Sequence, residues 1–242
     1  MSTVPPPRRT RAIKYPTTDG KPMAETDTHR DLMLDLIETL KAFYAAEPMV
    51  YVSGNLLLCY EEGNRRKHVS PDVFVVRGVR MCQRDNYLLW EEGQPPRFVI
   101  ELTSSSTRQA DTGRKMALYR DVLKVREYFL FDPMGDYLTP TMQGWRLRGG
   151  VYQAIRPVDG RLPSLTTGLH LERDGNQLRL WNPETNVWLP TPQEAWESEV
   201  LARQAAGLAQ QAAELARQAA ELQLADAQGE IRRLREQLGL DP

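Results

Sequence analysis

The chain has 242 residues, enough for one domain of about 150 residues and an appendage. Its 31 Lys and Arg residues against 32 Asp and Glu residues give a net charge of −1, so overall charge does not indicate nucleic-acid binding. No apolar run reaches the ~18–20 residues of a membrane span, and the N-terminus lacks a signal-peptide core. We therefore expect a cytoplasmic protein with no membrane contact, in which Cys59 and Cys82 are buried, reduced thiols.

The N-terminal part of the sequence separates into a tail and a helix. Residues 1–24 are rich in Pro and Arg and poor in apolar residues, which predicts a flexible tail. From about Asp27 to Ala45 apolar residues recur at helical spacing, so we predict an amphipathic helix with Asp27 or Thr28 as its N-cap. His29 begins the apolar stripe, where it is either a hydrogen-bonded residue at the domain edge or a catalytic residue.

Strand patterns follow, with a basic turn among them. Apolar runs predict strands at about 50–52, 55–60 and 73–76, the last of them directly after Pro71-Asp72. The turn between the second and third strands contains three consecutive basic residues: Arg65, Arg66 and Lys67. These side chains either contact DNA phosphates or form a solvated basic loop.

Glu101 lies inside the next apolar strand, within Arg97-Phe98-Val99-Ile100-Glu101-Leu102. A buried carboxylate must be paired, protonated or bound to a metal, which makes it a functional candidate. A helix is predicted from about Arg108 to Val122, with Ser106 and Gln109 at capping-box spacing. Helical spacing places Lys115 on the stripe that faces the sheet, although many such lysines extend to solvent.

The remainder of the chain predicts an extension of the domain and then a coiled coil. A strand at 127–131 and short strands within 136–190 indicate an antiparallel extension, so residues 25–190 form one domain. Residues 191–242 include three successive heptads that end in Leu208, Leu215 and Leu222, and Leu201 precedes them in the same register. We expect a C-terminal coiled-coil helix that forms a homo-oligomer, with a dimer favoured, and a break near 223–229.

Asp72 and Glu101 are predicted to meet, because sequential strands are usually adjacent in a sheet. Two close carboxylates repel each other, and Mg²⁺ relieves that repulsion through oxygen ligands. The hydroxyl of Thr103 and the main-chain carbonyls around Glu101, including that of Leu102, would lie near the same ion. A lysine beside them can neutralise charge that develops on a phosphoryl group, so the set suits phosphodiester hydrolysis.

Four motifs in this order resemble the Uma-two restriction-endonuclease family of the PD-(D/E)XK nuclease superfamily. They are Pro71-Asp72, the Glu101 strand with Thr103-Ser104, Lys115-(x)3-Tyr119 and Glu127-Tyr128-Phe129-Leu130-Phe131-Asp132-Pro133. The resemblance covers about residues 27–190. It implies an α/β fold with a restriction-endonuclease-like core, a mixed sheet flanked by helices, and Mg²⁺- or Mn²⁺-dependent cleavage of DNA.

The resemblance also implies roles for individual residues. Asp72 and Glu101 would be metal ligands, and Lys115 would be the catalytic lysine. His29 matches a histidine often seen before the family's first helix. Thr103 stands where the superfamily places its lysine, so the lysine would have moved to the following helix.

Two other classes of function fit the same residues. One is a catalytically silent DNA-binding or regulatory protein that retains the nuclease fold. The other is an assembly protein in which the coiled coil is the functional part. A glycosidase that uses the two carboxylates is disfavoured, because an inward-facing lysine has no place in that mechanism.

Overall fold

A computed structural model of the chain describes residues 15–17 and 26–238. The chain divides into two compact units, Met1–Thr191 and Pro192–Pro242. Of the predicted tail, only residues 15–17 are among those described, and there the Tyr15 ring lies 4.8 Å from that of Trp90. The rest of that prediction lies outside the described residues.

The first unit contains three α-helices, one π-helical turn and thirteen strands among its described residues. The helices are α1 (Asp27–Phe43), α2 (Leu89–Glu92) and α3 (Met116–Asp121), and the π-helical turn Ala110–Lys115 runs directly into α3. The strands, in chain order, are β1 (Val50–Ser53), β2 (Leu58–Cys59), β3 (His68–Val69), β4 (Val73–Arg77), β5 (Tyr87–Leu88), β6 (Phe98–Leu102), β7 (Glu127–Phe131), β8 (Met142–Arg148), β9 (Val151–Ala154), β10 (Leu162–Pro163), β11 (His170–Asp174), β12 (Gln177–Asn182) and β13 (Val187–Trp188).

The main sheet has six strands in the order β1-β4-β6-β7-β8-β9. β6 and β7 are parallel and every other neighbouring pair in this sheet is antiparallel, so the predicted mixed α/β class is confirmed. β10 to β13 form a separate antiparallel sheet, and β3-β2-β5 form a third. The predicted extension is therefore divided, because β8 and β9 join the main sheet whereas β10 to β13 do not.

Two apolar clusters cover opposite faces of the main sheet. α1 packs Leu32, Leu36 and Leu40 against one face, which includes Val73 and Ile100. The other face carries the α3 residue Tyr119 together with Phe74, Val99 and Tyr128 from the strands. Because side chains alternate along a strand, Asp72 and Glu101 belong to this second face.

Several local predictions were wrong. Thr26, not Asp27 or Thr28, caps α1, since its hydroxyl accepts a hydrogen bond of 3.2 Å from the backbone N–H of His29. The helix predicted at 108–122 is present at 108–121, but residues Ala110–Lys115 within it are π-helical, and the N-cap of that π-helical turn, Gln109, makes no side-chain hydrogen bond, so the predicted capping box is wrong. The predicted strand 55–60 shortens to β2, and Cys82 is exposed whereas Cys59 is buried.

Among its described residues, the second unit contains a single long helix, α4 (Pro192–Gln237), of 46 residues. It runs through 223–229 without interruption, so the predicted break is wrong there, although the heptad register changes. The heptad leucines Leu201, Leu208, Leu215 and Leu222 are all exposed. Within the described residues, no helix is long and apolar enough to cross a membrane.

Glu127 joins the main sheet to the loop that follows β10. Its buried carboxylate accepts hydrogen bonds from Arg146 Nε (2.7 Å), from the Ser164 hydroxyl (2.6 Å) and from the backbone N–H groups of Leu165 and Thr166 (3.0 Å each). Burial raises the pKa of Glu127, but these hydrogen bonds outweigh it and hold the pKa below its ordinary value of 4.5.

Glu127→Gln is expected to lower the free energy of unfolding by about 3–5 kcal/mol at neutral pH, because Arg146 loses its buried ionic partner. A lowered carboxyl pKa means that the unfolded chain binds more protons. The stability from Glu127 is therefore present above pH 4.5 and is lost as the pH falls through the lower folded-state pKa. Urea unfolding at about pH 7 and about pH 3.5 measures the free energy of unfolding of both proteins. The difference in this free energy between wild type and Glu127→Gln should be smaller at the lower pH. The surface control Glu38→Gln should change the free energy of unfolding by less than about 1 kcal/mol. If the difference between wild type and Glu127→Gln were the same at both pH values, Glu127 would not be the group responsible for the pH dependence.

Candidate active site

Asp72 and Glu101 lie opposite each other on neighbouring strands. β4 and β6 pair antiparallel with Val73 opposite Ile100, and the same register carried one residue further places Asp72 opposite Glu101. Opposed residues on antiparallel strands project from the same face. The backbone N–H of Leu102 donates a hydrogen bond of 2.7 Å to Asp72 Oδ2, which ties the acid just before β4 to the end of β6.

Lys115 reaches this face from the π-helical turn. Its Nζ lies 2.8 Å from Glu101 Oε2 and 3.0 Å from Asp111 Oδ1. The Tyr119 hydroxyl donates a hydrogen bond of 2.5 Å to the other oxygen of Glu101. Lys115 therefore points inward, as its position on the helical stripe predicted, and both carboxylate oxygens of the fully buried Glu101 have a donor.

Asp111 was not among the predicted site residues. It is fully buried at the start of the π-helical turn, and the Tyr128 hydroxyl donates a hydrogen bond of 2.9 Å to its main-chain carbonyl. The Lys115 ammonium pairs with Oδ1, and interactions with the side chains of Lys115 and Thr107 oppose the rise that burial causes in the pKa of Asp111. Neither carboxylate oxygen has a hydrogen bond of good geometry among the described residues. The sequence signal for Asp111 was its position four residues before Lys115 on the inward stripe.

The remaining predicted residues divide between this cluster and the turn between β2 and β3. His29 Nε2 lies 3.7 Å from Asp72 Oδ2, so the histidine stands beside the first acid. Thr103 is buried, and its hydroxyl has no hydrogen-bond partner among the described residues. Leu102 contributes its backbone N–H to Asp72 and its side chain to the core. The basic residues Arg65, Arg66 and Lys67 lie on the exposed turn between β2 and β3.

Comparison with known proteins identifies the family. The family model Uma2, described as "Putative restriction endonuclease", matches residues 6–199, well over half of the chain. The chain belongs to the Uma2 (Uma-two) family. Among solved structures it is similar to a chain described as "a putative nuclease belonging to DUF820 from Anabaena variabilis ATCC 29413", with 17% identity and a TM-score of 0.45 over 64% of this chain and 85% of that chain. No curated protein matches the sequence.

The three acids in this site of the Uma2 protein, Asp72, Glu101 and Asp111, differ in the direction in which their pKa values are shifted. Burial raises the pKa of Glu101 well above its ordinary value, and the charges of Asp72 and Asp111 add to that rise against the opposing effect of Lys115. Burial likewise raises the pKa of Asp111. Burial also disfavours charged Asp72, but the interaction with the nearby His29 and the charge of Lys115 outweigh it and lower the pKa. Asp72 is therefore the acid that most readily carries a charge.

Lys115 is held in its charged form. Burial alone would lower the pKa of its ammonium group, but the carboxylates of Glu101, Asp72 and Asp111 together raise it above its ordinary value. With all three acids ionised, one lysine faces three carboxylates and the cluster carries an excess of negative charge. Protonation of Glu101 or Asp111, whose pKa values are raised, relieves this excess of charge, and a bound cation would relieve it as well.

The oxygen donors of this Uma2 site suit a hard divalent cation. Among the residues that the structure describes, no group of three or more His, Cys, Asp or Glu side chains is arranged to hold a metal ion. Mg²⁺ does not need such a group, because it is commonly bound by one or two carboxylates together with water and substrate phosphates. Asp72 and Glu101 supply the two carboxylates that such a Mg²⁺ site needs. Thr103, two residues after Glu101, has a buried hydroxyl without a hydrogen-bond partner among the described residues.

Proposed function

We propose that this Uma2 protein is a metal-dependent DNA endonuclease that uses Mg²⁺, with Mn²⁺ as an alternative. The observation that carries the proposal is the approach of Lys115 to Glu101 on the sheet face that Asp72 also occupies. Three separate segments of the chain contribute these residues, in the order expected for the PD-(D/E)XK resemblance. Membership of the Uma2 family supports a nuclease.

In this proposal each residue has a distinct task. Asp72 and Glu101 would hold the cation, with the carbonyl of Leu102 and the hydroxyl of Thr103 as further oxygen donors. When bound, a divalent cation offsets phosphate charge and lowers the pKa of a coordinated water. The Lys115 ammonium neutralises the charge that develops on the phosphoryl oxygens during hydrolysis.

Two further side chains orient the acids. His29 stands 3.7 Å from Asp72, where it favours the charged carboxylate. The Tyr119 hydroxyl holds the second oxygen of Glu101 and so restricts rotation of that carboxylate. Partners of this kind preserve the geometry of metal-binding side chains. Arg65, Arg66 and Lys67 stay as predicted phosphate contacts on the β2–β3 turn.

Asp72→Asn is expected to lower the rate of plasmid nicking at least about 10²-fold, because the amide removes an anionic ligand but keeps the side-chain shape. The measurement is conversion of supercoiled plasmid by purified protein with Mg²⁺ or Mn²⁺. Asp31→Asn is the matched control on α1, where Asp31 forms only a surface pair with Arg30. Absence of nicking by the wild type, or equal nicking by Asp72→Asn, would reject the proposal. DNA binding without divalent-ion uptake would favour the catalytically silent alternative.

We also propose that α4 forms a coiled-coil homodimer. Its exposed leucine stripe alternates with a second seam of Ala205, Ala212 and Ala219. This arrangement has the 3.5-residue apolar repeat of coiled-coil helices, and small residues in one seam allow two helices to approach closely. A helix exposing such a stripe is stabilised when a second copy covers it.

The double substitution Leu208→Glu and Leu215→Glu is expected to convert the dimer to a monomer, because it places charges in the apolar seam. Sedimentation equilibrium of the full-length protein measures the change in mass. Gln210→Glu, which lies outside both seam positions, is the control and should leave the mass unchanged. A monomeric wild type, or a double variant that still dimerises, would show that α4 does not mediate self-association.

A further inference from the structure

Lys115 is shared between two carboxylates with different surroundings. Glu101 Oε2 accepts its hydrogen bond at 2.8 Å, and the other oxygen of Glu101 is held by Tyr119. Asp111 Oδ1 lies 3.0 Å from the same ammonium, yet its carboxylate has no well-directed hydrogen bond among the described residues. Each oxygen of Glu101 thus has a donor, whereas neither oxygen of Asp111 has a hydrogen bond of good geometry among the described residues, although Lys115 and Thr107 lie beside it.

This difference matters if Glu101 holds a cation, as the proposed function requires. An ammonium group bonded to Glu101 Oε2 occupies that oxygen and repels a second positive charge. Lys115 must then weaken its contact with Glu101, and a buried ammonium without another partner is very unfavourable. Asp111 lies four residues earlier on the same helical face and already within ion-pair distance, so it offers that partner.

The local backbone fixes Asp111 in this position. The Tyr128 hydroxyl, from β7, donates to the main-chain carbonyl of Asp111. The widened turn Ala110–Lys115 then places both the acid and the lysine towards the sheet. Isolated π-helical turns are frequent at functional sites, and the ion pair with Lys115 compensates part of the cost of burying the Asp111 carboxylate.

We propose that Asp111 is a positioning residue, which retains Lys115 in the site when Glu101 engages a divalent cation. The inference rests on the proposed metal-dependent function and deepens it. Asp111 is not itself a ligand in this proposal. It acts on cation binding only through Lys115, and that dependence separates it from a direct ligand or a structural residue.

Calorimetric titration of the full-length protein with Mn²⁺ tests the inference. Asp111→Asn is expected to weaken Mn²⁺ binding about 10–100-fold, because Lys115 then stays on Glu101. In a Lys115→Met background, where no ammonium competes, the same substitution should change the affinity less than about twofold. Tyr128→Phe, which removes only the hydroxyl that holds the Asp111 backbone, should cause a smaller loss in the same direction. It serves as the second variant should Asp111→Asn fail to fold.

Asp121→Asn is the matched control, because Asp121 lies at the end of α3 and pairs only with Arg120 at the surface. Unchanged Mn²⁺ affinity in both Asp111→Asn and Tyr128→Phe would overturn the inference while leaving the proposed function intact. Equal weakening by Asp111→Asn in the wild-type and Lys115→Met backgrounds would also overturn it, since Asp111 would then be a ligand. A wild type that takes up no Mn²⁺ would instead reject the proposed metal dependence, and the inference with it.

Discussion

Lys115→Met is expected to reduce the rate of plasmid nicking by about 10²–10³-fold. Methionine keeps the length and the apolar stem of lysine but removes the positive charge 2.8 Å from Glu101. The loss should appear in the single-turnover rate at saturating metal and DNA, because the ammonium is proposed to act on charge that develops during hydrolysis. Binding of DNA should change far less than the rate.

The same substitution should make stability depend differently on pH. Lys115 opposes the rise in pKa that burial imposes on Glu101 and Asp111, so both pKa values rise further without it. A carboxyl group with a raised folded-state pKa binds its proton more tightly in the folded protein. The variant should therefore be most stable in acid and lose stability as the pH rises through those pKa values.

Lys41→Met provides the matched control for both measurements. Lys41 also forms a lysine–glutamate pair, with Glu38 at 2.8 Å, but that pair is on the surface of α1. Its loss should change stability by less than about 1 kcal/mol and leave nicking unaffected. If Lys115→Met nicked plasmid as fast as Lys41→Met, the proposed catalytic role of Lys115 would be wrong.

The pairing of Asp72 with Glu101 could be predicted because it follows from the positions of two strands in the chain and from the alternation of their side chains. Apolar runs located β4 and β6, their order in the chain made them neighbours, and alternation placed both acids on one face. The inward direction of Lys115 followed in the same way from its helical spacing to Tyr119. These inferences needed only the period of each element and not its detailed backbone geometry.

The π-helical turn and the burial of Asp111 were beyond the sequence. Apolar spacing distinguishes a helix from a strand, but it does not distinguish α-helical from π-helical hydrogen bonding over a single turn. Asp111 is buried beside β7, where the Tyr128 hydroxyl donates a hydrogen bond to its main-chain carbonyl. Its position four residues before Lys115 places it on the inward stripe, but that spacing does not show that its carboxylate is buried beside the lysine.

Other errors have equally local causes. The heptad register of α4 changes near Gly229, but one glycine costs a helix only about 1 kcal/mol relative to alanine, so the helix continues. Cysteine is usually buried, yet Cys82 lies in the irregular segment between β4 and β5 and is exposed. The low helix propensity of glycine was therefore outweighed by the long helix around it, and the tendency of cysteine to be buried was outweighed by the position of Cys82 in an exposed segment.

Gly54→Ala is expected to impair both folding and nicking, because Gly54 lies against the backbone that carries Asp72. A Cβ at this position would overlap the main-chain oxygen of Asp72 and lie 2.6 Å from Ile37 Cδ1. The neighbouring Asn55 N–H donates a hydrogen bond of 2.8 Å to the carbonyl of Pro71, so the two segments are held together and cannot separate freely. The clash with Asp72 involves a main-chain atom, so no side-chain rotamer change relieves it.

The expected result of this clash is a displaced Asp72 with a weakened contact to the Leu102 N–H. Misplacing a catalytic group by about 1 Å can lower a rate about 10²-fold, and overpacking costs about 1–3 kcal/mol of stability. Nicking assays and urea unfolding measure the two effects. Gly207→Ala is the control, because its added Cβ meets nothing within 4 Å and should stabilise α4 slightly. A Gly54→Ala protein that nicked at the wild-type rate would show that the position of Asp72 against β6 is not required for cleavage.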